Sequence, residues 1–186
     1  MDFHSWRGCT DEIVAEWHAA AWRYREVFNE QSFALYEINL YWRILAIAQP
    51  RSILQWQFTA DYSVLGGIFN DSSRPRPTRR FWNLKQLAST PPRASSLAVE
   101  CDKQPNLTCT APSDIVGGIC TIHIVNNGAT RAATLTGLSP GVKQLRVWIS
   151  DAERGTQETG RIPVADGKAE FPLAATSYTT VTSSNP

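Results

Sequence analysis

The chain has 186 residues, of which 42% are hydrophobic and 19% are charged, and its 18 basic and 17 acidic side chains leave a formal net charge of +1. This composition is typical of a folded globular protein and excludes disorder as the overall state. The balanced charge gives no clustered positive field, so we expect neither a nucleic-acid nor a membrane partner. The longest strongly apolar run, residues 44–48, is far shorter than the ~20 residues that span a bilayer.

The first residues of the chain are unusual for the start of a domain. Residues 1–6 contain neither a basic region nor an apolar run, so we do not expect a signal peptide there. Two large aromatic residues, Phe3 and Trp6, appear without a polar lead-in. An incomplete gene and an internal start are both open as explanations.

Residues 1–91 have the periodicity of helices, with one strand between them. Thr10 is placed to cap a helix whose apolar residues recur at three- and four-residue spacing. Ser32 is placed to cap a second helix over residues 33–48, a buried strand follows over residues 52–59, and Thr78 is placed to cap a third helix. The residues predicted to face inward are Leu35, Ile38, Leu45 and Tyr41 or Trp42 on the second helix, and Phe81, Trp82, Leu84 and Leu87 on the third.

After residue 91 the pattern changes to short β-branched segments separated by turns. Asn127-Gly128 and Asp166-Gly167 are typical of hairpin turns, because glycine supplies the positive φ that tight turns require. Short strands with no helix between them favour a β-sandwich. We therefore predict an α+β protein of two parts, with an all-β antiparallel sandwich over residues 92–186. The predicted strands are residues 97–101, 107–110, 120–125, 132–135, 145–150, 160–164, 169–173 and 178–182.

Four cysteines occupy positions 9, 101, 109 and 120. Three of them lie in the strand-rich part, where one disulfide is an option that an extracytoplasmic setting would permit. Buried free thiols are the alternative. The spacing lacks paired C-x-x-C motifs, so we expect no metal site.

Three segments carry a family resemblance: His4-Ser-Trp6, residues 52–57 and residues 171–181. Together they resemble retaining glycoside hydrolases of the (β/α)8-barrel clan, such as families 30 and 39. The first segment resembles the end of a late barrel strand, the second resembles the eighth barrel strand, and the third resembles the closing strands of the sandwich. The resemblance implies that residues 1–91 are the C-terminal fragment of a barrel. It also implies the C-terminal portion of an extracellular or periplasmic glycosidase that acts on carbohydrate, with an N-terminal barrel portion missing and no activity alone.

The same resemblance implies which residues bind the sugar. The tryptophan of the eighth strand, Trp56, commonly forms the floor of the subsite nearest the scissile bond, although a plain core tryptophan is the alternative. Sugar sites combine flat rings with planar hydrogen-bonding groups, and the active sites of such barrels lie at the carboxyl ends of the strands. The expected substrate-binding residues are His4, Trp6, Trp56, Gln57, Asp61 and Tyr62.

The catalytic carboxylates are the weakest part of the resemblance. Retaining hydrolysis needs two carboxyl groups about 5–5.5 Å apart, and the family places the acid/base on the fourth strand, before residue 1. Glu16 is the one candidate for the nucleophile. It also lies within an uninterrupted apolar helical stripe, so a helix-surface position is the favoured alternative. Glu26, Glu30 and Glu37 are expected to be solvated helix residues.

Two non-catalytic functions stay open for the strand-rich part. It could bind carbohydrate through exposed aromatic residues, for which Trp148 and Tyr178 are the large candidates. Alternatively, it could be purely structural and stabilise the barrel through Phe81 and Trp82.

The remaining motifs are weak. His18 and His123 are isolated and are expected to be ordinary structural or surface histidines. No phosphate-binding glycine loop is present, so we expect no cofactor. Asn106-Leu-Thr108 matches the N-glycosylation acceptor pattern, which is common by chance.

Overall fold

The structure is a computed structural model that describes residues 35, 37–41, 65–66, 76–101 and 106–183. The chain divides into two compact units, Met1–Phe81 and Trp82–Pro186. Among the described residues, no helix is long and apolar enough to cross a membrane.

In the first unit, residues 35 and 37–41 are helical, within the predicted second helix. Leu35, Ile38 and Tyr41 are buried, which confirms their predicted inward orientation. Strand β1 (Leu65–Gly66) pairs antiparallel with strand β2 (Arg76–Pro77). The predicted first helix and the strand at residues 52–59 lie outside the described residues.

Glu37 corrects one prediction in this unit. We expected a solvated carboxylate, but Glu37 is only 2% exposed and accepts two hydrogen bonds from Arg80, at 2.8 Å from Nε and 2.6 Å from Nη2. The Tyr41 hydroxyl donates a third bond at 3.2 Å. A charged side chain is stable in a buried position only when it is paired in this way.

Helix α1 (Arg79–Leu87) begins where the sequence predicted. The Thr78 hydroxyl accepts a hydrogen bond from the Phe81 amide at 3.4 Å, the contact expected of an N-cap residue. The most buried α1 residues are polar, however: Asn83 is 1% and Gln86 0% exposed, whereas the four apolar residues predicted to face inward are only half-buried.

The second unit contains two antiparallel sheets. The large sheet has the strand order β3-β4-β5-β10-β7-β8, and the small sheet pairs β6 with β9. The fold class predicted from the sequence, with an antiparallel sandwich in the C-terminal part, is therefore confirmed. The strands are β3 (Ser95–Leu97), β4 (Leu107–Ser113), β5 (Thr121–Asn126), β6 (Arg131–Leu135), β7 (Gln144–Ser150), β8 (Gln157–Pro163), β9 (Ala169–Leu173) and β10 (Ser177–Thr182).

The hydrophobic core lies between the two sheets. Alternate residues of β5 and β9 point into it, as a strand with one face on a core requires, and β4, β7 and β10 each contribute one residue. Two further members come from the connection between β6 and β7. The buried core residues are Ala111, Ile122, Ile124, Leu138, Val142, Leu145, Ala169, Phe171, Leu173 and Val181.

The turn predictions had different outcomes. Asp166 and Gly167 both have positive φ (50° and 70°), and Ala165 and Lys168 exchange backbone hydrogen bonds across them, so this tight turn is confirmed. Asn127-Gly128 is not a hairpin turn, because β5 and β6 belong to different sheets. The strand predicted over residues 97–101 is also displaced. The strand that pairs with β4 is β3, which ends at Leu97.

Cys101 and Cys109 form a disulfide, with their Cα atoms 6.4 Å apart. Cys120 is a free thiol. One of the two cysteine arrangements left open by the sequence is therefore present.

Thr179 and Thr180 on β10 provide a test of the two faces of the large sheet. Thr179 is fully buried opposite Ile124 and Ile149, and its hydroxyl has no hydrogen-bond partner among the described residues. We expect Thr179→Val to raise the unfolding free energy by about 1–2 kcal/mol, because a buried hydroxyl without a partner is costly. Chemical denaturation monitored by circular dichroism measures this.

The same substitution one residue later is the matched control. The Thr180 hydroxyl lies 2.9 Å from Gln86 Nε2 and 2.8 Å from His123 Nδ1. Thr180→Val is expected to lower the unfolding free energy by about 1–3 kcal/mol, because it removes both bonds. Equal signs for the two variants would contradict the assignment of the faces.

Candidate functional site

The residues predicted to form the sugar site are not in the described part of the chain. The proposed nucleophile Glu16 and the proposed substrate-binding residues all fall outside it. Their assignments therefore stay predictions. These substrate-binding residues are His4, Trp6, Trp56, Gln57, Asp61 and Tyr62.

The described candidate is the outer face of the large sheet, opposite the hydrophobic core, which carries the C-terminal part of α1. Gln86 projects from α1 onto this face. Its side-chain nitrogen lies within hydrogen-bond distance of the Tyr178 carbonyl (3.0 Å), the Trp148 carbonyl (3.3 Å) and the Thr180 hydroxyl. Its side-chain oxygen accepts from the Ser150 hydroxyl at 2.6 Å. One buried amide therefore joins the helix to two neighbouring strands, β7 and β10.

His123 is the second member of this polar cluster and is fully buried. Its Nε2 lies 3.0 Å from the Thr90 hydroxyl, which donates its own proton to the Leu87 carbonyl at 2.7 Å. His123 Nε2 must then be the donor to Thr90, which leaves Nδ1 as the acceptor. The Tyr178 and Thr180 hydroxyls both lie 2.8 Å from Nδ1. The network thus selects one neutral tautomer.

Burial opposes a charge on this ring. It lowers the pKa of His123 to about 3, and it raises the pKa of Tyr178 well above its usual value. Neither side chain therefore changes protonation near neutral pH. The cluster is suited to holding α1 on the sheet and not to proton transfer.

The neutral His123 predicts a pH dependence of stability. In the unfolded chain His123 binds a proton below a pKa of about 6.5, whereas the folded protein keeps it neutral down to about 3. The unfolded state therefore holds more protons in this window, and the unfolding free energy falls as pH decreases, by up to about 1.4 kcal/mol per pH unit. His123→Gln lacks this dependence. We therefore expect the difference in unfolding free energy between wild type and this variant to shrink from pH 7 towards pH 4.5. Denaturant titrations at several pH values measure the difference, and parallel pH profiles would contradict the prediction.

The β7–β8 loop closes over α1 at Trp82. The Thr156 hydroxyl donates to the Trp82 carbonyl at 2.7 Å, and a Cβ on Gly155 would overlap the Trp82 ring. Asp151 holds the loop by accepting bonds from the Glu153 and Arg154 amides at 3.0 and 2.8 Å. These contacts all lie within the second unit, Trp82–Pro186.

The aromatic residues considered for a sugar-binding module are poorly placed for that role. Tyr178 is fully buried. Trp148 is half-buried, and the Arg146 guanidinium lies over its ring, 5.1 Å from the centroid. Arg146 is itself ion-paired with Glu158. The described part of the sandwich therefore offers no row of exposed rings.

Sequence reasoning did not identify Gln86 as a key residue. One signal was present, because polar residues recur at Arg80, Asn83 and Gln86 with the three-residue spacing of one helix face. No cluster of three potential metal ligands occurs among the described residues.

Neither a protein-family model nor a curated protein sequence matches the chain. Solved structures do match. A glycoside hydrolase family 30 subfamily 8 xylanase from Clostridium acetobutylicum aligns with a TM-score of 0.72 and 14% identity, over 83% of this chain and 39% of that one. The catalytic domain of the family 30 xylanase C from Talaromyces cellulolyticus aligns with a TM-score of 0.69 and 15% identity, over 83% and 36% of the two chains. A conserved exported protein from Bacteroides fragilis gives 0.67 and 12%, over 82% and 34%.

The chain thus spans less than two-fifths of the length of the structures it matches. At these identities the comparison establishes the fold. The chain has the fold of the C-terminal part of a family 30 glycoside hydrolase.

Proposed function

We propose that the chain is the C-terminal portion of a glycosidase that hydrolyses O-glycosidic bonds in carbohydrate. The observation that carries this proposal is the alignment of 83% of the chain with a family 30 xylanase at a TM-score of 0.72. Because two of the matched proteins are xylanases, xylan is the first substrate class to test.

In this proposal the sugar is bound by the N-terminal part. Trp56 stacks on a sugar ring and Gln57 bonds its hydroxyl groups. Asp61 and Tyr62 approach from the following loop, since the active sites of such barrels lie at the carboxyl ends of the strands. His4 and Trp6 complete the same site from another strand.

We propose that this chain does not turn over substrate by itself. Retaining hydrolysis needs a carboxylic acid and a carboxylate about 5–5.5 Å apart. In the family the acid/base lies on the fourth barrel strand, and Glu16 is the one candidate nucleophile that the resemblance offers in this chain. Catalysis would then depend on the remaining barrel portion.

The proposed role of the sandwich is structural. Gln86 of α1 bonds strand β10 of the large sheet, His123 bonds Thr90 just after the helix, and Thr156 of the β7–β8 loop bonds Trp82. Carbohydrate binding by the sandwich is the alternative, and the Arg146 side chain over Trp148 disfavours it.

We further propose that the protein acts outside the cytoplasm. The Cys101–Cys109 disulfide supports an oxidising compartment, and one structural match is described as an exported protein.

Binding of xylo-oligosaccharide to the purified 186-residue chain, measured by calorimetry, tests the location of the site. We expect Trp56→Ala to weaken binding at least about tenfold, or about 1.4 kcal/mol, and Trp148→Ala to leave it unchanged. Loss of binding in Trp148→Ala alone would favour the binding module, and no binding by the wild-type chain would contradict the proposed site.

Hydrolysis of xylan by the same chain tests the catalytic proposal. We expect no release of reducing ends. Turnover by the wild-type chain that Glu16→Gln abolishes would show that Glu16 is the nucleophile and that the chain is active alone.

A further inference from the structure

The motif Asn106-Leu-Thr108 has no role in the proposed glycosidase site or in the polar cluster. We propose that Asn106 is an N-glycosylation site, modified when the chain passes through a eukaryotic secretory pathway. The inference does not depend on the proposed function.

The backbone at Asn106 presents the side chain to solvent. Asn106 is exposed and stands in the turn directly before β4, with a φ of 70°. Asparagine is among the few residues that adopt this left-handed conformation readily. The Asn106 carbonyl accepts a hydrogen bond from the Asn127 amide at 2.8 Å, so the backbone is fixed. Within the described part of the chain, the side-chain amide makes no hydrogen bond that a glycan would break.

The second element of the motif, the Thr108 hydroxyl, is also on the outer face. Leu107 and Cys109 pack against the hydrophobic core, so Thr108, between them on β4, points to the opposite face. It is only half-buried. An oligosaccharide on Asn106 would therefore extend away from the core.

The disulfide supplies an independent observation about the compartment. Cys101 and Cys109 enclose Asn106 in the chain, and their bond requires an oxidising environment such as a secretory lumen. In eukaryotes the same lumen holds the glycosylation machinery.

The reaction is a group transfer from a lipid-diphosphate-linked oligosaccharide. The side-chain nitrogen of Asn106 forms a bond to C1 of the first sugar, and the bond from C1 to the diphosphate oxygen breaks. The lipid diphosphate leaves with the electron pair, and one amide proton is released to a base. No oxidant or reductant is needed.

Secretion of the 186-residue chain from a yeast host, behind a secretion signal, tests the proposal. A second acceptor pattern, Asn70-Asp-Ser72, lies outside the described residues, so Asn70→Gln is the common background. We expect peptide N-glycosidase to shift the secreted protein to lower mass, and peptide mapping to find the modification at Asn106.

Three variants in this background distinguish the motif from other causes. Asn106→Asp tolerates the left-handed backbone but lacks the amide, and Thr108→Val retains the strand but lacks the hydroxyl, so both should lose the shift. Thr108→Ser keeps the hydroxyl and should retain it. A secreted chain with the Cys101–Cys109 disulfide formed but no mass shift would overturn the proposal, as would a shift that persists in Asn106→Asp.

Discussion

Glu37→Gln is expected to lower the unfolding free energy of the chain by about 3–5 kcal/mol. Glu37 and Arg80 are 2% and 7% exposed, and both Glu37 oxygens accept from the guanidinium. Burial disfavours the charged guanidinium, but the hydrogen bonds and charge of Glu37 more than offset this and keep the pKa of Arg80 above its ordinary value. Without the carboxylate, a buried positive charge loses the anion that compensates it.

A double variant separates the net contribution of the Glu37–Arg80 ion pair to the unfolding free energy from the cost of leaving one charge unpaired. Replacing Glu37 by Leu and Arg80 by Met together removes both charges and is expected to be clearly less destabilising than Glu37→Gln alone. Denaturant unfolding followed by the helical circular dichroism signal measures both. A cost of Glu37→Gln below about 1 kcal/mol, the range of exposed ion pairs, would contradict the buried geometry.

Gln86→Leu is expected to cost about 2–4 kcal/mol, because the variant leaves buried polar groups without their partner. Gln86 is fully buried and serves the Ser150 and Thr180 hydroxyls and the carbonyl groups of Tyr178 and Trp148. Leucine is of similar size but offers no donor or acceptor. The effect should also appear as increased amide hydrogen exchange in α1.

Gln157→Leu is the matched control for this prediction. Gln157 is exposed on the edge strand β8, where the same substitution should change stability by no more than about 0.5 kcal/mol. Equal effects of the two substitutions would show that the amide of Gln86 does not hold the helix on the sheet.

Local signals were sufficient for one strand, one tight turn and one helix start. The strand β9 has the predicted bounds, and the tight turn at Asp166-Gly167 was predicted because two consecutive positive φ values favour Asp and Gly. The Thr78 cap of α1 was also predictable from local sequence, because the capping hydrogen bond joins residues only three positions apart.

Features that depend on distant residues were not predictable in this way. Asn127-Gly128 has the local pattern of a hairpin, yet β5 pairs with β4 and β10, and β6 pairs with β9. Glu37 and Gln86 have the local pattern of solvated helix positions, yet both are buried. Their hydrogen bonds are completed by Arg80 and Ser150, which are 43 and 64 residues away in the chain, so no local pattern reveals the burial.

The sequence by itself therefore determined the strand-rich C-terminal sandwich and the resemblance to glycoside hydrolases, because these follow from periodicity, turn residues and short motifs. Only the tertiary structure decided which polar side chains are buried. It also placed His123 fully buried within the polar cluster, where burial lowers its pKa, and showed that Tyr178 is not an exposed sugar platform. The physical reason is that the burial of a polar side chain is stable only when distant residues complete its hydrogen bonds, and no local pattern records those residues.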